Sequence, residues 1–174
     1  MMDNIDKEYS LFDLIQNDVL SAIAFQSFTL GFHTIAKNRQ YENDFPHLKY
    51  FFFVLPLVYN YSSMLSFLNS TELYTALLKE PSIILGLQTR AEKMTSQTFD
   101  GLNMAFSKKI LTIDKENHTI HLLRPFTSKR IALMKSSYTS MDSVKKIQDS
   151  AFRIGSIFAK KHDKNMQLDL NIRF

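Results

Sequence analysis

Histidine, carboxylate and glycine-rich stretches are the places where chemistry could reside. His118 and His121 lie three apart in "HTIH". A metal held by a strand needs its ligands on one face, and this spacing sends the two rings to opposite faces. His33, His47 and His162 fall on separate segments, with no H-E-x-x-H or comparable ligand spacing. Asp114 and Glu116 could work as an acid–base pair, yet they flank Lys115 in the turn-forming run "DKEN" and read as turn residues. There is no cysteine, which excludes a thiolate ligand, a disulfide and a cysteine nucleophile. Gly31, Gly86, Gly101 and Gly155 are too dispersed for a phosphate-cradling loop, and no G-x-S-x-G elbow occurs. The residues point to no cofactor, no metal and no catalytic residue, which leaves an enzyme with a dispersed site as the third-ranked reading.

What remains is electrostatic. The net charge is +4, unevenly spread: residues 1–106 carry 7 Lys/Arg against 11 Asp/Glu, residues 107–174 carry 14 against 6. A basic back half can meet a phosphate backbone, and an uneven solvated surface is the plainer reading. The nucleic-acid candidates are Lys108, Lys109, Arg124, Lys129, Arg130, Lys145 and Lys146, with Lys135 and Arg153 nearby. No helix with an Arg, Gln and Asn mixture suited to base edges accompanies them.

The elements that must position these groups are mostly helices. Residues 17–38 form a dense apolar helix, capped by Asn17 or Asp18 and stopped at Asn38, with Gly31 allowing a close approach or a bend. Ser70 or Thr71 caps a short helix over 70–81, with Glu72 in its first turn. From Pro81, Ile83, Leu87, Ala91, Met94, Thr98, Leu102 and Ala105 recur at helical spacing and predict one long helix; Gly101 within it implies tight packing. Residues 110–123 hold two branched runs around "DKEN", predicting a β-hairpin that must lean on the helices. Residues 140–163 form the last helix, capped by Ser140 with Asp142 in its first turn and Lys160, Lys161 and His162 at its end. Its seam of Val144, Ile147, Ala151, Ile154 and Phe158 packs on another helix, one of this chain first and a partner's as the alternative.

"YFFFVLPLVY" (50–59) has no charge. It is about half the ~20 apolar residues of a spanning helix. The other apolar segments are read as broken by charges, so a soluble chain is expected. Pro46 is expected in the first turn of a buried helix over 46–59, kinked or ended near Pro56, with a short buried strand as the alternative. The start "MMDNIDKEYSLFDL" is polar and acidic, unlike a secretion signal, and the cytoplasm is the expected location. At 174 residues one domain, 1–174, is expected, with an acidic helical front (1–106) and a basic hairpin plus C-terminal helix (107–174). The fold class is mainly α with one β-hairpin (α+β), a winged-helix-like helical domain in outline. A stand-alone winged-helix DNA-binding regulator is the runner-up function.

Four segments also carry a likeness across nearly the whole chain. They are "LIQNDVLSAIAFQSFTLGFH" (14–33), "FFFVLPLVYN" (51–60), "STELYTALLKEPSIILGLQTRAEKMTSQTFDGLNMAF" (70–106), and "SAFRIGSIFAKK" with terminal "LNIRF". In order and spacing they resemble the middle component of bacterial three-component ABC systems, of which the Lamassu anti-phage systems are examples. Two departures stand out: "YNYSSM" where the family often has Thr-Arg, and Asn171 where the family's closing L-G-I-R has Gly. The second suggests that the tail's geometry need not be kept. The resemblance implies a non-enzymatic adaptor between an SMC-like ABC ATPase and an effector, commonly a nuclease, in a DNA-sensing antiviral defence complex without membrane contact, where double-stranded DNA is a further partner. It implies that Phe51–Val58 is mainly own core, with exposed aromatics covered by a partner. The interface candidates are Phe51, Phe52, Phe53, Tyr59, Tyr61, Ile154 and Phe158.

Overall fold

The computed structural model describes residues 17–39, 43–133 and 140–174. Lys135 lies outside them, as do the side chains of Ser140 and Asp142. Helix α1 (Asp18–Arg39) is the hub of the described residues. The Asn17 side chain starts it by accepting from the Val19 N–H at 2.9 Å. Nearly every residue from Leu20 to Phe32 is buried, because α1 is sandwiched between the two longest other helices. Two of its hydroxyls are satisfied locally: buried Thr29 donates to the Phe25 carbonyl at 2.8 Å and half-buried Thr34 to that of Leu30 at 2.7 Å. Val19 to Ala36 contains no Asp, Glu, Lys or Arg, contrary to the expectation that charges break the other apolar segments. By length and composition α1 could cross a membrane, and 72% of its apolar window is buried inside the fold.

The apolar segment forms a 3-10 turn (Leu48–Tyr50) and α2 (Phe51–Val58). Pro56 sits inside α2, which continues to Val58 before ending. Pro46 is not in the helix. Its carbonyl accepts the Ile120 N–H at 2.9 Å, and the Leu48 N–H goes to the His118 carbonyl at 2.8 Å, so this stretch lies against the hairpin. Asn60 then caps α3 (Tyr61–Leu68) by accepting from the Ser63 N–H at 2.9 Å. The chain turns by 107° there, so the "YNYSSM" departure builds a corner.

Helix α4 spans Leu73–Lys79. Glu72 is its N-cap residue rather than part of its first turn, and reaches Lys160 at 2.8 Å. The long helix expected from Pro81 is three pieces: a 3-10 turn (Pro81–Ile84), α5 (Leu87–Lys93) and α6 (Thr95–Ser107). Gly86 breaks the first join at φ 63°, a conformation that costs glycine nothing. The expected stripe still faces inward at Ile83, Leu87, Ala91, Thr98, Leu102 and Ala105, with Met94 half-buried. Gly101 is as tightly packed as expected, since a Cβ there would lie 2.4 Å from Ser21 Cβ.

Strands β1 (Leu111–Asp114) and β2 (Thr119–Leu122) pair antiparallel, Leu111 with Leu122 and Ile113 with Ile120. Asp114 closes the turn by accepting from Glu116 N–H at 2.9 Å and Asn117 Nδ2 at 2.8 Å. Helix α7 (Ser140–Phe158) lies along α1, and the contact is backbone on backbone. A Cβ on Gly31 would sit 2.0 Å from the Phe152 oxygen, and one on Gly155 2.0 Å from the Phe28 oxygen. The seam of α7 is therefore used inside the chain. α7 ends five residues before 163, and a further helix unforeseen in the sequence, α8 (Asp163–Leu170), follows.

Asn171 corrects an expectation. It adopts φ 52°, ψ 49° after α8, while Ile172 N–H reaches the Gln167 carbonyl at 3.0 Å and Asn171 N–H that of Leu168 at 3.4 Å. This is a helix-ending motif that wants Gly and accepts Asn, so Asn171 holds the turn without a glycine. The described elements are thus mainly α with one β-hairpin.

Candidate functional site

The seven aromatic and apolar interface candidates separate by burial. Phe51, Phe53, Ile154 and Phe158 are buried in the core. Phe51 meets Phe25 and Phe28 edge-on at 5.4 and 5.2 Å, and Phe28 meets Phe158 at 5.7 Å. These side chains are occupied internally. Phe52 and Tyr59, seven residues apart on one side of α2, are half-buried, and Tyr61 is exposed. The Phe52 ring meets exposed Phe99 at 5.4 Å. The Tyr59 hydroxyl lies 3.1 Å from Ser21 Oγ, and burial pushes it up to about 12, partly offset by that hydrogen bond. Arg90 holds the turn beneath, donating to the Ile83 carbonyl at 2.8 Å; burial pulls its guanidinium below the ordinary value.

The basic candidates are all exposed and fall into two groups. Lys108, Lys109 and Arg124 flank the hairpin base, where the Leu123 N–H reaches the Ile110 carbonyl at 3.0 Å. Lys129 and Arg130 stand on the loop after the hairpin, and Arg130 joins that loop to α7, the helix that carries Lys145 and Lys146. Arg130 pairs with Asp149, one turn beyond those lysines, and its guanidinium sits 4.7 Å from the Phe152 ring centre.

What fixes this loop is a pair of glutamines that the sequence did not single out. Gln26, fully buried on α1, donates to the Lys129 carbonyl at 2.9 Å and the Phe126 carbonyl at 3.3 Å, and accepts from the Ile131 N–H at 3.4 Å. Gln148, buried on α7, donates to the Ile131 carbonyl at 2.8 Å. An amide can give and take at once, so one side chain satisfies both kinds of backbone group. The only signal available was a polar residue inside an apolar run at position 26. These bonds fix the backbone of the loop that carries Lys129 and Arg130.

Four of the histidines are used for packing. Phe45 is stacked between His33 at 4.3 Å and His121 at 4.2 Å. His118, at φ 53° before β2, stacks on His47 at 5.9 Å. Burial, with Lys49 and His118 nearby, holds the His47 imidazole below its ordinary value. Among the described residues no three His, Cys, Asp or Glu side chains are grouped to hold a metal.

No curated protein and no solved structure matches the chain, and the winged-helix outline therefore rests on element order alone. A family model does match, and it spans residues 2–174. It includes the apolar helix, the α2 block, the α7 glycine seam and the Asn171 turn. By that match the chain belongs to the family of ABC-three component (ABC-3C) system Middle Component 3 proteins.

Proposed function

We propose that this chain is a non-catalytic adaptor, linking an SMC-like ABC ATPase to an effector subunit of nuclease type in a bacterial defence assembly. Its membership of a middle-component family over residues 2–174 carries the reading, because a middle component of a multi-component ABC system has other components to join. Lamassu anti-phage systems are the kind of assembly meant, acting in the cytoplasm on foreign double-stranded DNA. Exposed Phe99 against Phe52 supports a partner surface at the α2–α6 side, and exposed Tyr61 supports one at the start of α3. The separately held basic loop and α7 lysines support phosphate contacts on another side.

Co-expression with the ABC ATPase and third component encoded beside it tests the reading. The expected result is co-purification at fixed stoichiometry, with weak DNA binding by the chain alone. A homodimer that binds one duplex tightly with a steep salt slope, without those partners, would overturn it in favour of a regulator. Turnover of a substrate by the purified subunit would overturn it in favour of an enzyme. Lys145→Glu with Lys146→Glu should weaken DNA association of the assembled complex and leave assembly intact. Loss of assembly instead would assign those lysines to a protein interface.

A further inference from the structure

A cleft of about 470 Å³ opens between the end of α1, the stretch 43–50 and the start of α8. Its lining is lopsided in chemistry. Phe32, Ala159 and the Tyr50 ring form an apolar base. Around it stand Lys49, Lys161 and Lys164, with His47 and His162, against the single carboxylate of Asp163. That carboxylate is already committed: one oxygen takes the Lys49 ammonium and the other the Tyr50 hydroxyl. Lys161 leans on Asp169 at 3.1 Å, which lies outside the cleft lining. Lys164 is exposed and forms no ion pair among the described residues. His47 accepts the Lys49 N–H on Nδ1 at 3.2 Å, so in its neutral form the ring carries its proton on Nε2 as a donor. The cleft is thus rich in cations and donors, and its one acid is spent on holding Lys49 and Tyr50.

We infer that this cleft binds a phosphomonoester of about nucleotide size. The Lys164 ammonium, unpaired among the described residues, and a donor imidazole suit a compact dianion, which charge-assisted hydrogen bonds favour over a neutral ligand. Beside them, Lys161 and Lys49 can share their remaining N–H groups beyond Asp169 and Asp163. The volume asks for more than inorganic phosphate, since pockets for small organic ligands run from about 300 to 1,000 Å³. No glycine-rich loop is involved: side chains do the holding. The site is independent of the adaptor reading, and partner assembly need not depend on it. The same chemistry could be presented by a free nucleotide or by the 5′-phosphate end of a DNA strand.

Isothermal titration of the full chain tests this with AMP, adenosine and inorganic phosphate at fixed ionic strength, and with an oligonucleotide bearing a 5′-phosphate or a 5′-hydroxyl. AMP should bind at millimolar concentration or below, more tightly than inorganic phosphate, and adenosine should give no heat. Lys164→Glu should weaken AMP by about tenfold, the scale of one lost charge-assisted contact. Because its side chain is exposed, the thermal midpoint should stay unchanged. His47→Gln is the second variant and should weaken AMP in the same direction. Preference for the 5′-phosphorylated oligonucleotide over AMP would name the strand end as the source, and the reverse would name the free nucleotide. Equal binding of adenosine and AMP, inorganic phosphate as tight as AMP, unaltered affinity in Lys164→Glu, or no AMP binding at all would each overturn the inference. Co-purification with the ABC components would be unaffected by such a failure, so the two readings fall separately.

Discussion

Two contacts made by α7 and its continuation are held in opposite ways. Along its length α7 lies on α1 through Gly31 and Gly155, where neutral backbone meets neutral backbone and the surrounding side chains are buried. Beyond its end, α8 is tied to the 3-10 turn by the hydroxyl of the buried Tyr50 and by Lys49 and Asp163, charged groups in partly open positions. The first contact gains from close packing and loses nothing to salt. The second gains from Coulomb attraction that water and salt weaken. The rigid frame should therefore lie at the crossing, and the part that responds to solution conditions at the α8 corner.

The largest effect should come from adding one carbon at the crossing. A Cβ on Gly155 would meet the Phe28 oxygen at 2.0 Å, and the obstacle is backbone, which cannot rotate aside. Gly155→Ala must push the helices apart, an overpacking cost of about 3 kcal/mol. For a chain of this size that lowers the thermal midpoint by about 10 °C. Gly101→Ala meets the Ser21 Cβ at 2.4 Å, an atom fixed to its own backbone, so it should also destabilise, by less than Gly155→Ala because the approach is less close. Equal midpoints for Gly155→Ala and the parent chain would break the claim that this crossing is the frame.

Much of that frame was legible in the sequence, for a physical reason. Burial leaves a periodic trace, so the α1 run, the inward stripe from Ile83 to Ala105, the hairpin and the α7 seam could all be read. Gly31 and Gly101 could be recognised as close approaches because glycine inside an apolar helix needs a cause. What could not be read depends on non-local partners. Pro46 could open a helix or lie extended, and only pairing with Ile120 decides for the latter. The break at Gly86 was hidden because the stripe stays in phase across it. Helix α8 lacks an apolar period, burying only Met166 and Leu170. Gln26 and Gln148 gave no sign of their loop, since an amide's partner lies a hundred residues away in one case.

Those glutamines sharpen the comparison from the neutral side. Gln26→Leu removes two donors and an acceptor from the loop at 126–131 while keeping a side chain of similar size. The cost should be about 2 kcal/mol, because the buried ends of those backbone groups lose their partners. Hydrogen exchange should accelerate in the loop and leave the α1–α7 amides protected. Uniform acceleration would mean that the glutamine supports the crossing itself.

At the charged corner the response should follow pH. Burial alone would raise the Asp163 carboxyl, but hydrogen bonds from Lys49 and Tyr50 outweigh it and hold the group below its ordinary 3.8. A depressed folded-state value means stability that is present above 3.8 and lost as pH falls through the folded value. Asp163→Asn should cost less than about 1 kcal/mol near neutrality, since the pair is partly solvated. The difference from the parent should vanish in acid, below the ordinary carboxylate range. At the other limit, burial raises Tyr50 above 10.0, with Asp163 adding to the rise, so its contribution is present below 10.0 and lost as pH climbs. A variant gap that stays constant from neutrality into acid would separate the corner from the ionisation of Asp163.

A small effect should also come from Arg130→Ala, and its smallness is informative. Arg130 pairs with Asp149 and covers Phe152, yet both charged side chains remain more than a third exposed. Exposed pairs contribute about 0–1 kcal/mol, and a ring contact at the surface adds about 0.5–1. The loop beneath is held by the backbone of Lys129 and Ile131 through the glutamines, so removing the arginine head should not release it. Stability should therefore shift by less than in Gln26→Leu, and the shift should shrink with added salt. If DNA association of the assembled complex nevertheless falls, the arginine serves the surface rather than the fold. A loss equal to that of Gln26→Leu, insensitive to salt, would instead mean that charge holds the loop and that the contrast between a neutral frame and a responsive corner does not extend to this end of α7.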